Sequence, residues 1–271
     1  MKIISHKNKL AKFIKNEKNL GFVPTMGGIH LGHISLIKRS IRECKKTAVS
    51  IFINKPQFNR KYDFKKYPRR IKKDIKKLKK LKIDYLYLPK EKDIYPKGQN
   101  KNIKISSLKK ILCGKKRPGH FEAVADVIDR FIKIIKPKKI YFGEKDYQQL
   151  KIIQLFVKKN HSKTKVIPCK TIRENNGMAL SSRNYLLSIN QKNVAAQIFN
   201  TLVREKNKLI KNKISVIDLK KKIYNLGVNK IEYIELLNIN KLIRPYKKIK
   251  KYRIFIAYFL GSIRLIDNIY L

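Results

Sequence analysis

Hydrophobic positions along the first part of the chain alternate between two kinds of segment. Short apolar runs are typical of buried strands, and they lie at 21–25, 48–53, 83–88, 139–142 and 164–169. Segments with apolar residues three and four positions apart are typical of amphipathic helices, and they lie at 34–44, 67–81, 121–135 and 148–158. This alternation predicts a parallel sheet with helices on both faces, with ligands bound at the carboxyl ends of the strands.

The remainder of the chain has a different pattern. A long helical segment at 190–210 precedes three strand-like segments at 231–236, 253–259 and 263–266, the last two separated by a turn signal at 261–262. This order predicts a small α+β domain with a short sheet. We therefore expect a first domain of residues 1–170 and a second domain of residues 171–271.

Composition adds a large positive charge to this picture. The 271 residues are 43% hydrophobic, enough for a core, and carry a formal net charge of +49. Such a charge is typical of proteins that bind nucleic acid or anionic membranes. Here lysine is spread over almost the whole chain and isoleucine and asparagine are also frequent, which favours compositional drift in an AT-rich genome over a specific nucleic-acid site. The positive field still attracts anionic substrates, and salt weakens it.

The sequence also indicates a location. No apolar run approaches the roughly 18 residues that a membrane helix needs, and the lysine-rich start shows no secretory signal. Cys44, Cys113 and Cys169 form no Cys-x-x-Cys pair, and their odd number argues against structural disulfides or a zinc site. We expect a cytoplasmic protein without a membrane partner.

The strongest chemical signal is Pro-Thr-Met-Gly-Gly-Ile-His-Leu-Gly-His at 24–33. Glycines allow a close turn after a strand, and the helix that starts near His33 offers unpaired N–H groups and a positive dipole end, which suit phosphate. His30 and His33 are three residues apart and share a helical face, so both can donate to phosphates. The His-x-Gly-His spacing resembles the signature of the nucleotidyltransferase superfamily. The alternative is a pair of partly exposed histidines after a glycine turn.

Two further segments carry groups suited to a nucleotide. Lys145, after a predicted strand, can neutralise phosphate charge, and Asp146 can accept hydrogen bonds from ribose hydroxyls. Ser181, Ser182 and Arg183 can clamp phosphate oxygens. Taken alone, charged loop residues are usually only solvated, and adjacent serines often cap a helix.

Together with four more segments, these motifs match one family in order and spacing. The chain resembles the pantothenate synthetase family, also called pantoate–β-alanine ligases, from about residue 19 to residue 268. The matching segments are 24–33, 50–58 (Ser-Ile-Phe-Ile-Asn-Lys-Pro-Gln-Phe), 67–69 (Tyr-Pro-Arg), 114–121 (Gly-Lys-Lys-Arg-Pro-Gly-His-Phe), 143–150, 180–184 and 261–268 (Gly-Ser-Ile-Arg-Leu-Ile-Asp-Asn).

The resemblance implies both a fold and a reaction. The fold is α/β: a Rossmann-like parallel-sheet nucleotidyltransferase domain with a smaller α+β C-terminal domain that closes as a lid. The reaction is the ATP-dependent condensation of pantoate with β-alanine to pantothenate through a pantoyl-adenylate, with release of AMP and pyrophosphate. ATP and Mg²⁺ are implied as co-substrate and ion, and a homodimer is implied as the assembly. The metal ligands are not identified.

Individual roles also follow from the resemblance. His33 would donate a proton at the phosphates with His30 beside it, and Lys145 would contact the α-phosphate. Gln57 and Gln149 would bind pantoate, with Asn54 in the same substrate site and Gln57 also near β-alanine. Gly143 and Asp146 would hold the ribose, and the Ile172 backbone would meet adenine. The implied ATP-binding residues are Met26, Gly27, Gly28, Ile29, His30, Leu31, Gly32, His33, Gly143, Glu144, Lys145, Asp146, Ile172, Leu180, Ser181, Ser182 and Arg183.

Some positions depart from the family pattern. Lys55 and Pro56 move a proline by one position between Asn54 and Gln57. Ala123 replaces a usual glycine, and Asp126 replaces a usual threonine, which would add charge near the ligand.

Two other functions remain open at this point. Another nucleotidyltransferase would share the two histidines but has no need of Gln57 and Gln149. A basic RNA-binding protein without catalysis would bind RNA in a salt-sensitive manner. The aromatic residues lie mostly in apolar strands rather than among basic residues, which disfavours base stacking.

Overall fold

The computed structural model describes residues 1–238, 240, 242–243 and 252–271. The chain divides into two units, one of residues 1–144 and 148–170 and one of residues 145–147 and 171–271. No helix in these described ranges is long and apolar enough to cross a membrane.

A six-stranded parallel sheet organises the first unit. Its strands are β1 (Lys2–Ile4), β2 (Leu20–Thr25), β3 (Lys46–Ile51), β4 (Tyr85–Tyr87), β5 (Lys139–Gly143) and β6 (Lys165–Cys169), in the order β1-β4-β3-β2-β5-β6. The chain runs outward from β2 through β3 to β4 and then returns to the other side of β2 with β5. Such a reversal is a topological switch point, where the crevice beyond the carboxyl ends of the strands binds ligands.

Eight helices accompany this sheet in the described chain. They are α1 (Lys7–Ile14), α2 (Leu31–Glu43), α3 (Lys61–Lys66), α4 (Ile71–Lys80), α5 (Glu91–Ile94), α6 (Leu112–Lys116), α7 (His120–Ile135) and α8 (Tyr147–Asn160). The core between the sheet and α2 and α4 includes Val23, Ile37, Val49, Leu78 and Leu86, all fully buried. Each such aliphatic side chain contributes about 1.5–3 kcal/mol to stability by leaving water. This core therefore stabilises the strands whose ends form the site.

The second unit packs two helices on a small antiparallel sheet. Its elements are α9 (Ile189–Ile210), α10 (Val216–Tyr224), β7 (Lys230–Asn238), β8 (Tyr252–Leu260) and β9 (Ile263–Tyr270), with the strand order β7-β8-β9. Ser188 and Ser215 cap the two helices by accepting hydrogen bonds from backbone N–H groups of the first turns.

A buried carboxylate joins α9 to α10. Glu205 is 2% exposed and accepts hydrogen bonds from Lys222 Nζ at 3.0 Å and Arg204 Nε at 3.1 Å. The bond from Lys222, followed by that from Arg204, lowers the pKa of Glu205 to about 2. The ionised form of Glu205 therefore stabilises the fold of this unit.

The predicted fold class is confirmed: a parallel α/β sheet with helices precedes a small antiparallel sheet. The helix predicted over 67–81 begins only at Ile71, because Pro68 holds Tyr67 in an extended conformation. Strand β1 and the helices α1, α3, α5, α6 and α10 were not predicted. Only the last residue of β1 is buried, so this short edge strand has no strong apolar pattern.

Candidate active site

A glycine turn links the end of β2 to the start of α2. Thr25 Oγ1 donates to Ser50 O at 2.7 Å and accepts from Gly27 N at 3.2 Å, which ties the turn to the neighbouring strand β3. Gly27 and Gly28 have φ values of +81° and +62°, a left-handed conformation that favours glycine. A Cβ atom on Gly27 would lie 3.1 Å from Ile51 and 3.2 Å from the Asp74 carboxylate, so the turn also lacks space for a side chain.

A buried carboxylate binds the backbone N–H groups of this turn. Asp74, on α4, is 2% exposed, and its two oxygens accept from Gly28 N and Ile29 N at 2.8 Å each. Lys77, one turn further along α4, donates from Nζ to Ile29 O. Hydrogen bonds to an ionised acceptor are about twice as strong as neutral ones. The backbone of 28–29 is therefore fixed by one helix through both its donors and an acceptor.

The two histidines of the motif lie at the first turn of α2. His30 is the N-cap, and its Nδ1 accepts from Gly32 N at 3.1 Å, while His33 Nδ1 accepts from His30 N at 3.5 Å. The ring centroids are 4.0 Å apart. Because each Nδ1 accepts a backbone hydrogen bond, the proton of each neutral ring lies on Nε2. The motif thus provides two Nε2–H donors at the positive end of a helix.

The segment after β3 places two amide side chains beside the turn. Asn54 is 1% exposed, and its Nδ2 donates to Gln57 Oε1 at 3.1 Å and to Ala123 O at 3.2 Å. Gln57 Nε2 donates to Met26 Sδ at 2.9 Å. Lys55 and Pro56 form the short 3₁₀ turn between the two amides, so the shifted proline leaves their contact intact.

Two residues at and just before the start of α7 bind the backbone of the same segment. His120 Nδ1 lies 2.8 Å from Gln57 O, and Arg117 Nη2 donates to that oxygen at 3.0 Å. His120 Nε2 lies 3.0 Å from Arg117 Nη1. Since arginine only donates, Nε2 is an acceptor here and Nδ1–H is the donor to Gln57 O. Three of the matching segments, 24–33, 50–58 and 114–121, therefore meet around Gln57.

The end of β5 contributes a different environment. A Cβ atom added to Gly143 would meet nothing within 4 Å, so the backbone there borders open space. Two glutamines follow in α8. Gln148 is buried and its amide bonds to Leu108 O, Ile111 O and Cys113 N, whereas Gln149 is half-buried. The side-chain amide of Gln148 therefore binds backbone groups of the protein, which distinguishes Gln148 from Gln149, the glutamine predicted to bind pantoate.

Seven of the predicted ATP-binding residues lie in the second unit. The Lys145 ammonium lies 3.7 Å from the Asp146 carboxylate, and Lys145 O accepts from Asn268 Nδ2 at 2.9 Å. Ile172 O accepts from Leu180 N at 3.0 Å, which places these two residues on paired backbone segments. Ser181 Oγ accepts from Arg183 N and caps the 3₁₀ helix Ser182–Leu186. Glu144, the remaining predicted residue of this loop, belongs to the first unit.

An ion pair supports the serine-arginine segment within its unit. Arg173 Nη1 and Nη2 lie 2.6 and 2.9 Å from the two oxygens of Asp267. Asn184 Nδ2 donates to Ala179 O at 3.0 Å. An isolated β-bridge pairs Arg173 with Ala179, so the segment at 180–184 is linked through Arg173 to Asp267 in the segment at 261–268. Asp267 and Asn268 both bind protein groups.

The unusual Asp126 has a partner of its own. This residue is buried on α7, and its Oδ1 lies 2.7 Å from Arg130 Nε, while Oδ2 accepts from Asn100 N at 2.9 Å. The extra charge that the sequence predicted near the ligand is therefore neutralised by Arg130, one helical turn away.

Sequence reasoning missed Asp74. A signal was present, because Asp74 occupies the apolar stripe formed by Ile71, Ile75 and Leu78 on an otherwise lysine-rich helix. A lone carboxylate on the core-facing side of an amphipathic helix must have a buried partner. The identity of that partner, 46 residues earlier in the chain, follows only from the fold.

The fold and these contacts define a class of protein: a nucleotidyltransferase-like domain whose glycine turn and histidine-capped helix lie at the switch point of a parallel sheet. The sequence model of the pantoate–β-alanine ligase family matches residues 2–270. The chain belongs to the pantoate–β-alanine ligase family and is an enzyme of pantothenate synthesis.

Individual relatives agree with this assignment. The pantothenate synthetase of Flavobacterium psychrophilum is 42% identical over 270 residues, which cover 97% of this chain and 95% of the relative. The crystal structure of pantothenate synthetase from Thermus thermophilus superimposes with a TM-score of 0.91 at 30% identity and covers 99% of each chain. That of the Francisella tularensis ligase, complexed with β-γ ATP and β-alanine, has a TM-score of 0.85 at 37% identity and covers 100% of this chain and 97% of the other.

Proposed function

We propose that this enzyme joins pantoate to β-alanine in two steps, through a pantoyl-adenylate, and releases AMP and pyrophosphate. The observation that carries the proposal is the contact between Gln57 Nε2 and Met26 Sδ at 2.9 Å. It joins a phosphate-binding turn to an amide suited to a small hydroxy acid. A site of this kind brings the carboxylate of one substrate to the phosphate chain of the other.

In the first step, a carboxylate oxygen of pantoate attacks the α-phosphorus of ATP. The new oxygen–phosphorus bond forms as the bond to pyrophosphate breaks, and negative charge spreads over the phosphate oxygens. The Nε2–H groups of His30 and His33 donate to these oxygens, and the start of α2 adds its dipole. Lys145 neutralises charge at the α-phosphate.

The remaining nucleotide contacts come from backbone and small side chains. We propose that the 26–33 turn with Leu31 and Gly32 binds phosphates, that Gly143, Glu144 and Asp146 bind the ribose side, and that the Ile172 backbone meets adenine. Ser181, Ser182 and Arg183, with Leu180 beside them, bind phosphate oxygens through hydroxyl and guanidinium donors.

Magnesium is proposed to arrive with the nucleotide. Mg²⁺ prefers phosphate oxygens and water with few protein ligands, so it would be bound as MgATP.

In the second step, the amine of β-alanine attacks the carbonyl carbon of the adenylate. A carbon–nitrogen bond forms, the carbon–oxygen bond to the phosphate breaks, AMP leaves and the ammonium proton is lost to water. Gln57 and Gln149 hold the pantoyl group through amides that donate and accept. We further propose residues 1–170 as the nucleotide and pantoate domain, residues 171–271 as a lid, a homodimeric assembly and a cytoplasmic location, as the family resemblance implies.

Omission of single substrates tests this route. With pantoate and ATP alone, the enzyme should exchange labelled pyrophosphate into ATP, because the adenylate forms reversibly without β-alanine. With β-alanine and ATP alone, no exchange should occur. If exchange needs both acids, bond formation occurs in one concerted step and the adenylate route is wrong.

A further inference from the structure

A buried hydrogen-bond chain ends at the proposed pantoate-binding glutamine. The Tyr95 hydroxyl donates to Asn54 Oδ1 at 2.7 Å, and Asn54 in turn contacts Gln57. Tyr95 and Asn54 are both buried. None of the roles implied by the family resemblance includes Tyr95, and the reaction proposed above does not use it.

The direction of this chain is fixed by chemistry. The carbonyl of Ala123 can only accept, so the Asn54 atom that faces it at 3.2 Å must be Nδ2. Asn54 Oδ1 then faces Tyr95, whose hydroxyl must donate. The second Nδ2 hydrogen goes to Gln57 Oε1, which leaves Nε2 as the end of Gln57 that faces Met26.

The outer end of this amide has a weak partner. A thioether sulfur is a poor acceptor, so an oxygen of a ligand can replace Met26 Sδ at little cost. Pantoate offers such oxygens in its carboxylate and two hydroxyl groups. The orientation of Gln57 therefore determines that it meets the ligand as a donor.

Tyr95 is itself held in place. The Arg130 guanidinium lies 4.6 Å from the centre of the Tyr95 ring and donates to Ile94 O at 2.8 Å and to Gly98 O at 3.0 Å. Asp126 pairs with Arg130, so a residue that departs from the family pattern anchors the segment. Burial raises the pKa of Tyr95 well above its usual value, which keeps the hydroxyl protonated as a donor.

We propose that Tyr95 is a positioning residue for pantoate: through Asn54 it fixes Gln57 so that Nε2–H is presented to a pantoate oxygen. This inference rests on the proposed role of Gln57. It also assigns Asn54 to the support of Gln57, because both of its amide hydrogens are bonded to protein atoms.

The substitution Tyr95→Phe tests the proposal, with Tyr87→Phe as its matched control. Tyr87 is fully buried in β4, and its hydroxyl has no hydrogen-bond partner among the residues that the structure describes. Pantoate-dependent pyrophosphate exchange should show the pantoate KM of Tyr95→Phe raised about five- to tenfold, the loss expected for one buried hydrogen bond. Its ATP KM should stay within about twofold, and Tyr87→Phe should change neither constant.

A double-mutant cycle separates positioning from general damage. If Tyr95 acts through Gln57, Tyr95→Phe should raise the pantoate KM no further in a Gln57→Ala background. Equal increases in both backgrounds, or equal increases in the KM values for ATP and pantoate, would overturn the proposal. If Tyr95→Phe fails to fold, Arg130→Lys replaces it, since it keeps a charge beside Asp126 but loses the paired donors to the 94–98 backbone. Its pantoate KM should then rise while its ATP KM does not.

Direct calorimetry of pantoate binding keeps this test independent of the reaction route. If the parent enzyme shows no exchange with pantoate alone, the proposed adenylate route fails. The same variants then report on Tyr95 through their pantoate dissociation constants, where unchanged values in Tyr95→Phe would refute the positioning role.

Discussion

The substitution Asp74→Asn perturbs the glycine turn without changing the volume of the core. The native carboxylate accepts from both Gly28 N and Ile29 N at 2.8 Å. An asparagine retains one acceptor oxygen, but its NH₂ group must face the other backbone N–H. One buried amide of the turn therefore loses its partner and meets a second donor.

The size of the effect follows from these contacts. Loss of one hydrogen bond to a buried charged acceptor costs about 1.5–3 kcal/mol. The bonded amides belong to the turn that is proposed to bind phosphate. Part of this cost should therefore reduce the stabilisation of bound ATP in the transition state. Since about 1.4 kcal/mol is a factor of ten in rate, kcat/KM for ATP should fall about ten- to a hundredfold.

The assay is pyrophosphate exchange with pantoate at varied ATP concentration, together with thermal unfolding of each variant. Asp84→Asn is the matched control. Asp84 accepts from Lys46 Nζ at 2.8 Å and Thr47 N at 2.9 Å, and it precedes β4 at the amino end of the sheet. The chemical change is thus the same, but it lies at the amino ends of the strands, whereas the glycine turn lies at their carboxyl ends.

The comparison has a clear outcome in either direction. Asp74→Asn should lose ATP kcat/KM far beyond Asp84→Asn when both proteins are folded at the assay temperature. If the two variants keep the same ATP kcat/KM as the parent, the carboxylate does not control the turn and the reasoning is refuted.

The remaining predictions concern single groups in the two units. His33→Ala should lower the rate of exchange about a hundred- to a thousandfold, as expected for loss of a transition-state donor, with only a small fall in melting temperature from loss of its bond to His30 N. Exposed His6→Ala should leave the rate unchanged, and equal rates in both variants would remove His33 from the reaction. Gln149→Ala should raise the pantoate KM with little change in stability, and Gln148→Ala should lower the melting temperature because three backbone groups lose their partner. A raised pantoate KM in Gln148→Ala alone would contradict the proposal that Gln149 binds pantoate. Glu205→Gln should lower the melting temperature at pH 7, and its difference from the parent should shrink as pH falls from about 4.5 towards about 2, since the depressed pKa of Glu205 stabilises only the ionised form; a difference that does not depend on pH would contradict this linkage.

Local patterns in the sequence predicted the parts of the fold that rest on local physics. Apolar runs located the central strands, since buried parallel strands need hydrophobic residues on both faces. The glycine turn and a helix start near His33 were predicted, because turn conformation and helix initiation depend on adjacent residues. That the helix begins at Leu31 with His30 as its N-cap was not predicted. The pairing of Asp126 with Arg130 was also readable in principle, because the two lie four residues apart in a predicted helix.

The support of the site depended on contacts between distant segments. Asp74 reaches a turn 46 residues away, and Tyr95 reaches an amide 41 residues away. A buried polar side chain reveals only that it needs a partner, and several backbone or side-chain groups could satisfy that need. The sheet order selects the partner, because it brings the ends of β2, β3 and β4 to one edge.

The fate of an isotope in the pantoate carboxylate tests the central claim most directly. With ¹⁸O in both carboxylate oxygens, attack on the α-phosphorus and later release of AMP should transfer one labelled oxygen to the phosphate of AMP, which mass spectrometry detects. Label in pyrophosphate or inorganic phosphate, or AMP without label, would contradict the adenylate route.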